Sequence, residues 1–209
     1  MNGQKRLKKN SKFIYLISPE KINKNFFNDL ENILKTKKIS FFQLRLKKEK
    51  IKKIIIYGKK IKKICKKFNV KLIVNDSPKL TKIIRADGCH LGQSDGSISD
   101  ARMILKNKII GITCHNSKEL IKKAIIDRPN YIAIGAFFNS KTKKIKYKAS
   151  IKLLKLAKKM TKIPIVAIGG INSKNYKKLL LNKANFLAIS GYIWNNKKLN
   201  PSEAIKFIK

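Results

Sequence analysis

Eight short runs of β-branched and aromatic residues, separated by longer amphipathic stretches, constrain this chain more than any other feature. The runs cover residues 13–17, 40–44, 71–74, 88–91, 109–112, 131–134, 165–168 and 186–189. Such alternation marks a parallel sheet whose strands are joined by crossover helices. The clearest helical stretch is 51–68, where Ile51, Ile54, Ile61, Cys65 and Phe68 share a face and paired lysines fill much of the rest. A stripe of this kind would also suit a membrane surface, but eight strands supply a sheet for it to cover, so an outer packing helix is expected. Eight strand–helix units in 209 residues meet the lower size limit of a (β/α)8 barrel. The rival, a doubly wound dinucleotide-binding sheet, would carry Gly-x-Gly-x-x-Gly after its first strand. Here Ser18-Pro19-Glu20 follows instead. The expected fold is therefore α/β: a compact (β/α)8 TIM barrel, residues 1–209 forming one domain, with 1–12 a basic N-terminal segment that has room to be flexible.

Charge bears on function more than on fold. The chain has 51 Lys plus Arg against 11 Asp plus Glu, a formal net charge of +40. Of the basic residues 46 are Lys and five Arg, spread from end to end, whereas nucleic-acid readers combine clustered charge with Arg and stacking aromatics. The 34 Ile and 19 Asn are, like Lys, residues that adenine- and thymine-rich codons favour. Specific nucleic-acid binding is not expected; faster encounter with anionic ligands, weakened by salt, is. Apolar runs of four or five residues fall far short of the roughly 20 that a membrane span needs. The basic start is not followed by a signal-peptide apolar stretch, and three cysteines suit a reduced compartment. A cytoplasmic location without membrane attachment is expected.

In a barrel the active site forms at the carboxyl ends of the strands, and here those ends are polar. Gln43, Arg45 and Lys47 leave the second strand, Asn75 and Asp76 the third, Gln93 and Asp95 the fourth, and Thr113 and His115 the fifth. Ser140, Thr142, Lys143 and Lys144 follow the sixth, Gly169-Gly170 the seventh and Ser190-Gly191 the eighth. The last two positions are where barrels commonly cradle a phosphate with backbone N–H groups. Four of the 11 acids, Asp76, Asp87, Asp95 and Asp100, fall within 25 residues. Asp76 and Asp95 end adjacent strands about 4.8 Å apart, so they can share a hard cation such as Mg²⁺ or serve merely as turn residues. Arg45, Lys47 and Lys143 on the same rim, with a separate glycine cradle, point to two phosphorylated substrates, one a diphosphate. Cys89-His90 and Cys114-His115 do not make a zinc site, because neighbours on a strand point to opposite faces. Buried cysteines are expected, with His90 a satisfied core or rim histidine and His115 near a ligand.

Taken together, Gln43-Leu-Arg-Leu-Lys47, Asn75-Asp76, Asp87-Gly-Cys-His-Leu-Gly-Gln-Ser-Asp95, Gly111-Ile-Thr-Cys-His115, Ser140-Lys-Thr-Lys143 and Ile168-Gly-Gly-Ile171 resemble, in order, the motifs of thiamine phosphate synthases. The resemblance spans Tyr15 to Ser190. It implies a (β/α)8 barrel transferase that joins 4-amino-2-methyl-5-hydroxymethylpyrimidine diphosphate to thiazole phosphate, releasing pyrophosphate through a dissociative pyrimidine-cation mechanism. It implies that Gln43 and Thr113 meet the pyrimidine, that Arg45, Lys47, Asn75 and Lys143 hold the diphosphate, and that Asp76 and Asp95 bind Mg²⁺. Arg45, Lys47 and Lys143 would be the catalytic cations. Ser140 and Thr142 would meet the thiazole, and Gly170, Ile189 and Ser190 its phosphate. Leu46 stands where the family commonly has Glu, Ser77 where it often has Arg, and Ala136 where it has Pro. The nearest rival is the related thiazole tautomerase, which uses a histidine near the position of His115 and handles no diphosphate. A charge-driven binding protein would leave the ordered ring of polar strand ends unexplained. The implied partners are the two small molecules, with homo-oligomerisation left open.

Overall fold

All eight expected runs form strands in the computed structural model, which describes residues 12–139 and 146–208. They are β1 (Ile14–Ile17), β2 (Ile39–Leu44), β3 (Lys71–Asn75), β4 (Gly88–Leu91), β5 (Ile109–His115), β6 (Tyr131–Gly135), β7 (Ile165–Ile168) and β8 (Phe186–Ile189). Each pairs in parallel with its neighbours in chain order, and β8 returns to β1, closing the barrel. Between them run α1 (Phe26–Lys35), α2 (Ile51–Lys67), α3 (Pro78–Ile84), α4 (Ile98–Leu105), α5 (Lys118–Asp127), α6 (Ile151–Met160) and α7 (Tyr176–Leu181). Short helices α8 (Gly191–Trp194) and α9 (Pro201–Ala204) follow β8. The expected basic segment 1–12 lies, apart from Lys12, outside the described residues.

The two-residue period of the strands sorts the core into layers. Outward-facing Ile14, Leu16, Leu72, Val74, Ile132 and Ile134 pack under the helices. Tyr15, Ile73, Tyr131, Ala133, Val166 and Ala188 fill the barrel interior with Phe41 and Phe186 against them. The interior is unusually aromatic: Phe41 lies 5.0 Å from Phe186 and 5.5 Å from Tyr15, ring centre to ring centre. Four helices start on a serine whose hydroxyl accepts a backbone N–H from the first turn: Ser77 from Leu80, Ser97 from Asp100, Ser117 from Leu120 and Ser150 from Leu153. Each such cap contributes about 1 kcal/mol.

Two expectations change. The stripe of α2 is centred on Gly58, Ile61, Ile64 and Cys65, while Ile51 is 63% exposed. Gly58 moves the centre, because its missing side chain admits Ile84 of α3 against the helix. Also, β5 runs three residues further than its apolar pattern, so Thr113 and His115 lie within the strand and not beyond it.

Asp87 serves the fold and not the rim. Its Oδ2 accepts from Leu72 N at 2.7 Å and from Lys62 Nζ at 2.6 Å, and its backbone bonds Leu72 and Ile109. It thus ties α2, β3 and β5 together near the amino ends of the strands. Asp87→Ala strands a buried N–H and an ammonium, so a loss on the order of 2–3 kcal/mol is expected, measurable as a lower urea midpoint.

Candidate functional site

At the opposite end of the barrel, three charged groups from β2, β3 and β4 converge. Asp76 follows β3 with φ +66°, its N–H donating to the His90 carbonyl at 2.8 Å. This bond turns the chain sharply over the neighbouring strand. Asp95 sits on the tight turn after β4, where its Oδ2 accepts from Gly92 N at 2.7 Å. A Cβ at Gly92 would stand 2.7 Å from that oxygen, so a larger residue there would displace the Asp95 carboxyl. The two carboxyl groups are hydrogen-bond neighbours: partial burial, then Asp76 itself, raises the Asp95 pKa, while Gly92 and Lys47 oppose the rise. Lys47 Nζ lies 2.9 Å from Asp76 Oδ2 and stays half exposed. Paired carboxylates repel unless a cation lies between or beside them. Among the described residues no cluster of three or more His, Cys, Asp or Glu surrounds the pair. A site of two carboxylates nonetheless fits Mg²⁺, which usually takes one or two from the protein and completes its octahedron with water and substrate phosphates.

Beneath the charged rim lies a hydrogen-bonded floor. Gln43 Nε2 donates to Tyr15 Oη at 3.1 Å, and Tyr15 Oη meets Tyr131 Oη at 2.8 Å. Tyr131 Oη meets His90 Nδ1 at 2.9 Å, and His90 Nε2 meets Thr113 Oγ1 at 2.8 Å. The His90 ring also stacks on Tyr131, 5.6 Å between centres and 11° from parallel. His90 is thus the satisfied interior histidine that its strand position suggested, and Cys65, Cys89 and Cys114 are buried and free. Burial pushes the His90 pKa down to about 4, with Asp95 pulling it up and Arg45 pushing it further down. The tyrosine pair was not anticipated; its only signal was two tyrosines at inward positions of buried strands.

The low His90 pKa carries a sign. Between about 4 and 6.5 the unfolded chain binds the proton that the folded chain refuses, so stability rises with pH across that window. As pH falls through it, up to about 3 kcal/mol of stability is lost. Thermal midpoints from pH 7 to 4 should show this fall, and His90→Gln should flatten it.

The remaining rim residues divide. Asn75 ends β3, paired with His90 of β4. Gly169 and Gly170 leave β7 with φ of +104° and +63°, and the Phe137 and Phe138 N–H groups bond the carbonyls of Ile168 and Gly169. Ser190 Oγ donates to the Ser18 carbonyl at 3.1 Å, closing β8 onto β1. Ile189 is buried in the outer core, so its side chain points away from the rim. Gln93 Nε2 bonds the Thr113 carbonyl, and the His115 ring lies 4.4 Å from that of Tyr147. Leu46 packs into the apolar core and Ser77 caps α3, so neither departure from the family pattern touches the charged groups. Ser140, Thr142 and Lys143 lie outside the described residues.

The family model described as thiamine monophosphate synthase matches residues 14–193, which takes in all eight strands and the whole rim. The chain belongs to the thiamine monophosphate synthase family. The thiamine-phosphate synthase of Pelagibacter ubique (strain HTCC1062) is 64% identical over 206 residues, covering 98% of this chain and 100% of the relative. That of Picrophilus torridus is 35% identical, covering 92% and 93%. Among solved structures, thiamine phosphate pyrophosphorylase from Pyrococcus furiosus superposes with a TM-score of 0.83 at 24% identity over 95% of this chain and 94% of that one. Orotidine 5′-phosphate decarboxylase from Pyrococcus horikoshii shares the barrel at TM-score 0.65 and 16% identity, covering 92% and 96%. These likenesses agree with the barrel and the family that the motifs implied. Among the described residues no helix is long and apolar enough to cross a membrane.

Proposed function

We propose that this member of the thiamine monophosphate synthase family is a transferase that joins 4-amino-2-methyl-5-hydroxymethylpyrimidine diphosphate to thiazole phosphate and releases pyrophosphate. The observation that carries the reading is the Asp76–Asp95 carboxylate pair with Lys47 beside it. A diphosphate carried on Mg²⁺ suits that grouping, since Mg²⁺ takes one or two carboxylates from a protein together with substrate phosphates. Asp76 and Asp95 would hold the Mg²⁺, which supplies charge to stabilise the departing diphosphate.

In the dissociative course, the bond between the pyrimidine methylene carbon and the diphosphate oxygen breaks, its electrons leaving with pyrophosphate. The thiazole nitrogen then donates its lone pair to the cationic carbon. No protein nucleophile or strong base is needed. Lys47 is already oriented by Asp76 and, with Arg45 and Lys143, neutralises the leaving group; Asn75 adds a hydrogen bond to it. Gln43 and Thr113 hold the pyrimidine. Ser140 and Thr142 orient the thiazole, and the turn at Gly170, with Ile189 contributing main chain and Ser190 its hydroxyl, receives the thiazole's phosphate. Holding both substrates in one mouth supplies the proximity that an encounter in water lacks. Three buried free thiols support a cytoplasmic setting.

A tautomerase acting through His115 would leave the carboxylate pair and Lys47 without a role. The two readings separate when the protein is given each substrate alone and then both. The synthase reading expects thiamine phosphate, identified by mass, with both together and no change in either alone; isomerisation of thiazole phosphate alone would overturn it.

A further inference from the structure

Apart from tyrosine and cysteine, the polar residues buried among the described ones are Ser18, Gln43 and Thr81. Thr81 bonds the Ser77 carbonyl at the start of its own helix, and Gln43 belongs to the barrel floor. Ser18 lies just past β1, is 3% exposed, and bonds three residues of the rim. Its N–H donates to the Gln43 carbonyl at 2.9 Å. Its hydroxyl accepts the Arg45 N–H at 3.0 Å and donates to the Arg45 carbonyl at 3.3 Å. Its carbonyl accepts from Ser190 Oγ at 3.1 Å. This departs from a regular parallel ladder, in which a residue donates to one neighbouring strand and accepts from that same strand two residues further on. Having donated to Gln43, Ser18 would accept the Arg45 N–H on its carbonyl. Here the carbonyl is turned to Ser190, and the side-chain oxygen takes its place. On the other side of β1, Trp194 Nε1 bonds the Ile17 carbonyl at 2.6 Å, so the end of the strand is gripped from both sides.

We propose that Ser18 is a positioning residue: its hydroxyl fixes the Arg45 main chain, and through it the direction from which the guanidinium meets the diphosphate. This deepens the synthase reading and rests on it. Arg45 is the first residue beyond β2, so no strand ladder orients its peptide groups. One hydroxyl, with one donor and two acceptor positions, does so instead. An arginine clamp acts through geometry as well as charge, so a loosened main chain weakens it even though the guanidinium is untouched. Ser18→Ala takes away the partners that the Arg45 N–H and carbonyl have here. The N–H can regain one only if the residue 18 carbonyl turns back from Ser190 toward β2. Ser190 therefore competes with Arg45 for that carbonyl, and removing the Ser190 hydroxyl from the Ser18→Ala protein hands the carbonyl back to Arg45.

The test is calorimetric binding of the pyrimidine diphosphate, with Mg²⁺ and without thiazole phosphate, to the full chain. The wild type is compared with Ser18→Ala, Ser18→Cys, Ser18→Ala combined with Ser190→Ala, and Asp87→Ala, with thermal midpoints recorded alongside. Ser18→Ala should weaken binding about tenfold or more, the scale on which a displaced positioning group acts. Ser18→Cys keeps a side chain of similar shape with only weak hydrogen-bonding capacity. It should weaken binding at least about threefold, the worth of one ordinary hydrogen bond, and this reading does not depend on whether the alanine variant folds. The double variant should bind at least about threefold more tightly than Ser18→Ala, although it has lost one hydrogen bond more. A role in stability alone predicts the reverse order, with the double variant weakest. Asp87→Ala, which loosens the fold from the far end of the barrel, should bind as the wild type does. Wild-type affinity in both folded Ser18 variants, an equal loss in Asp87→Ala, or a double variant no tighter than Ser18→Ala would overturn the inference while leaving the synthase reading intact. A wild type that binds no pyrimidine diphosphate would instead overturn the synthase reading, and this inference with it.

Discussion

Asp95→Asn should lower kcat by about 10²- to 10³-fold, in the range found when a group stabilising developing negative charge is removed, and should raise the Mg²⁺ concentration needed for half-maximal rate. The substitution keeps the shape and the hydrogen bond from Gly92, since the amide oxygen can accept what Oδ2 accepts at 2.7 Å. What it removes is one of two negative charges held in contact. Relief of that repulsion predicts a second result of opposite direction: without Mg²⁺, the variant should melt no lower than the wild type, and higher if the repulsion outweighs the stabilisation by Lys47. A residue kept for the fold would show loss in both assays. Parallel loss, or a wild-type metal requirement, would contradict its assignment to the cation.

Gly170→Ala should act on the other substrate. Its φ of +63° costs a side-chain-bearing residue about 1–2 kcal/mol, and its Cβ would press on the Phe138 and Asn139 carbonyls. That overpacking adds about 1–3 kcal/mol. The thermal midpoint should fall by roughly 5–15 °C for a chain of this size. Because the turn receives the thiazole's phosphate in the proposed site, KM for thiazole phosphate should rise about tenfold or more, with KM for the pyrimidine diphosphate nearly unchanged. Equal rises in both would mean that the turn only supports the rim.

Strand positions were legible because a closed parallel barrel buries both faces of its strands, leaving apolar runs bounded by polar breaks. The same rule hid the end of β5. Thr113 and His115 are polar residues at the carboxyl end of the strand, so the apolar pattern stops before the strand does. The Asp76–Asp95 pairing was readable since consecutive strands are neighbours in this topology. Nothing of that kind announces Tyr15 and Tyr131, 116 residues apart on strands that face each other across the barrel. Their meeting depends on closure of the whole sheet. Asp87 shows the converse: grouped by spacing with the rim acids, it turns out to bind backbone near the far end of the barrel, and only its position before β4 distinguishes it. Asp100 likewise belongs to the first turn of α4, bonded to Ser97.

In the proposed site a diphosphate is held at Asp76, Asp95 and Lys47 with the help of a divalent cation. Calorimetric binding of the pyrimidine diphosphate to the full chain, without thiazole phosphate and with Mg²⁺ either present or removed by a chelator, tests this most directly. Affinity that falls at least about tenfold when Mg²⁺ is removed, and that Asp76→Asn and Asp95→Asn each weaken only when Mg²⁺ is present, is the predicted result. Equal affinity with and without the cation, in the wild type and in both variants, would contradict it.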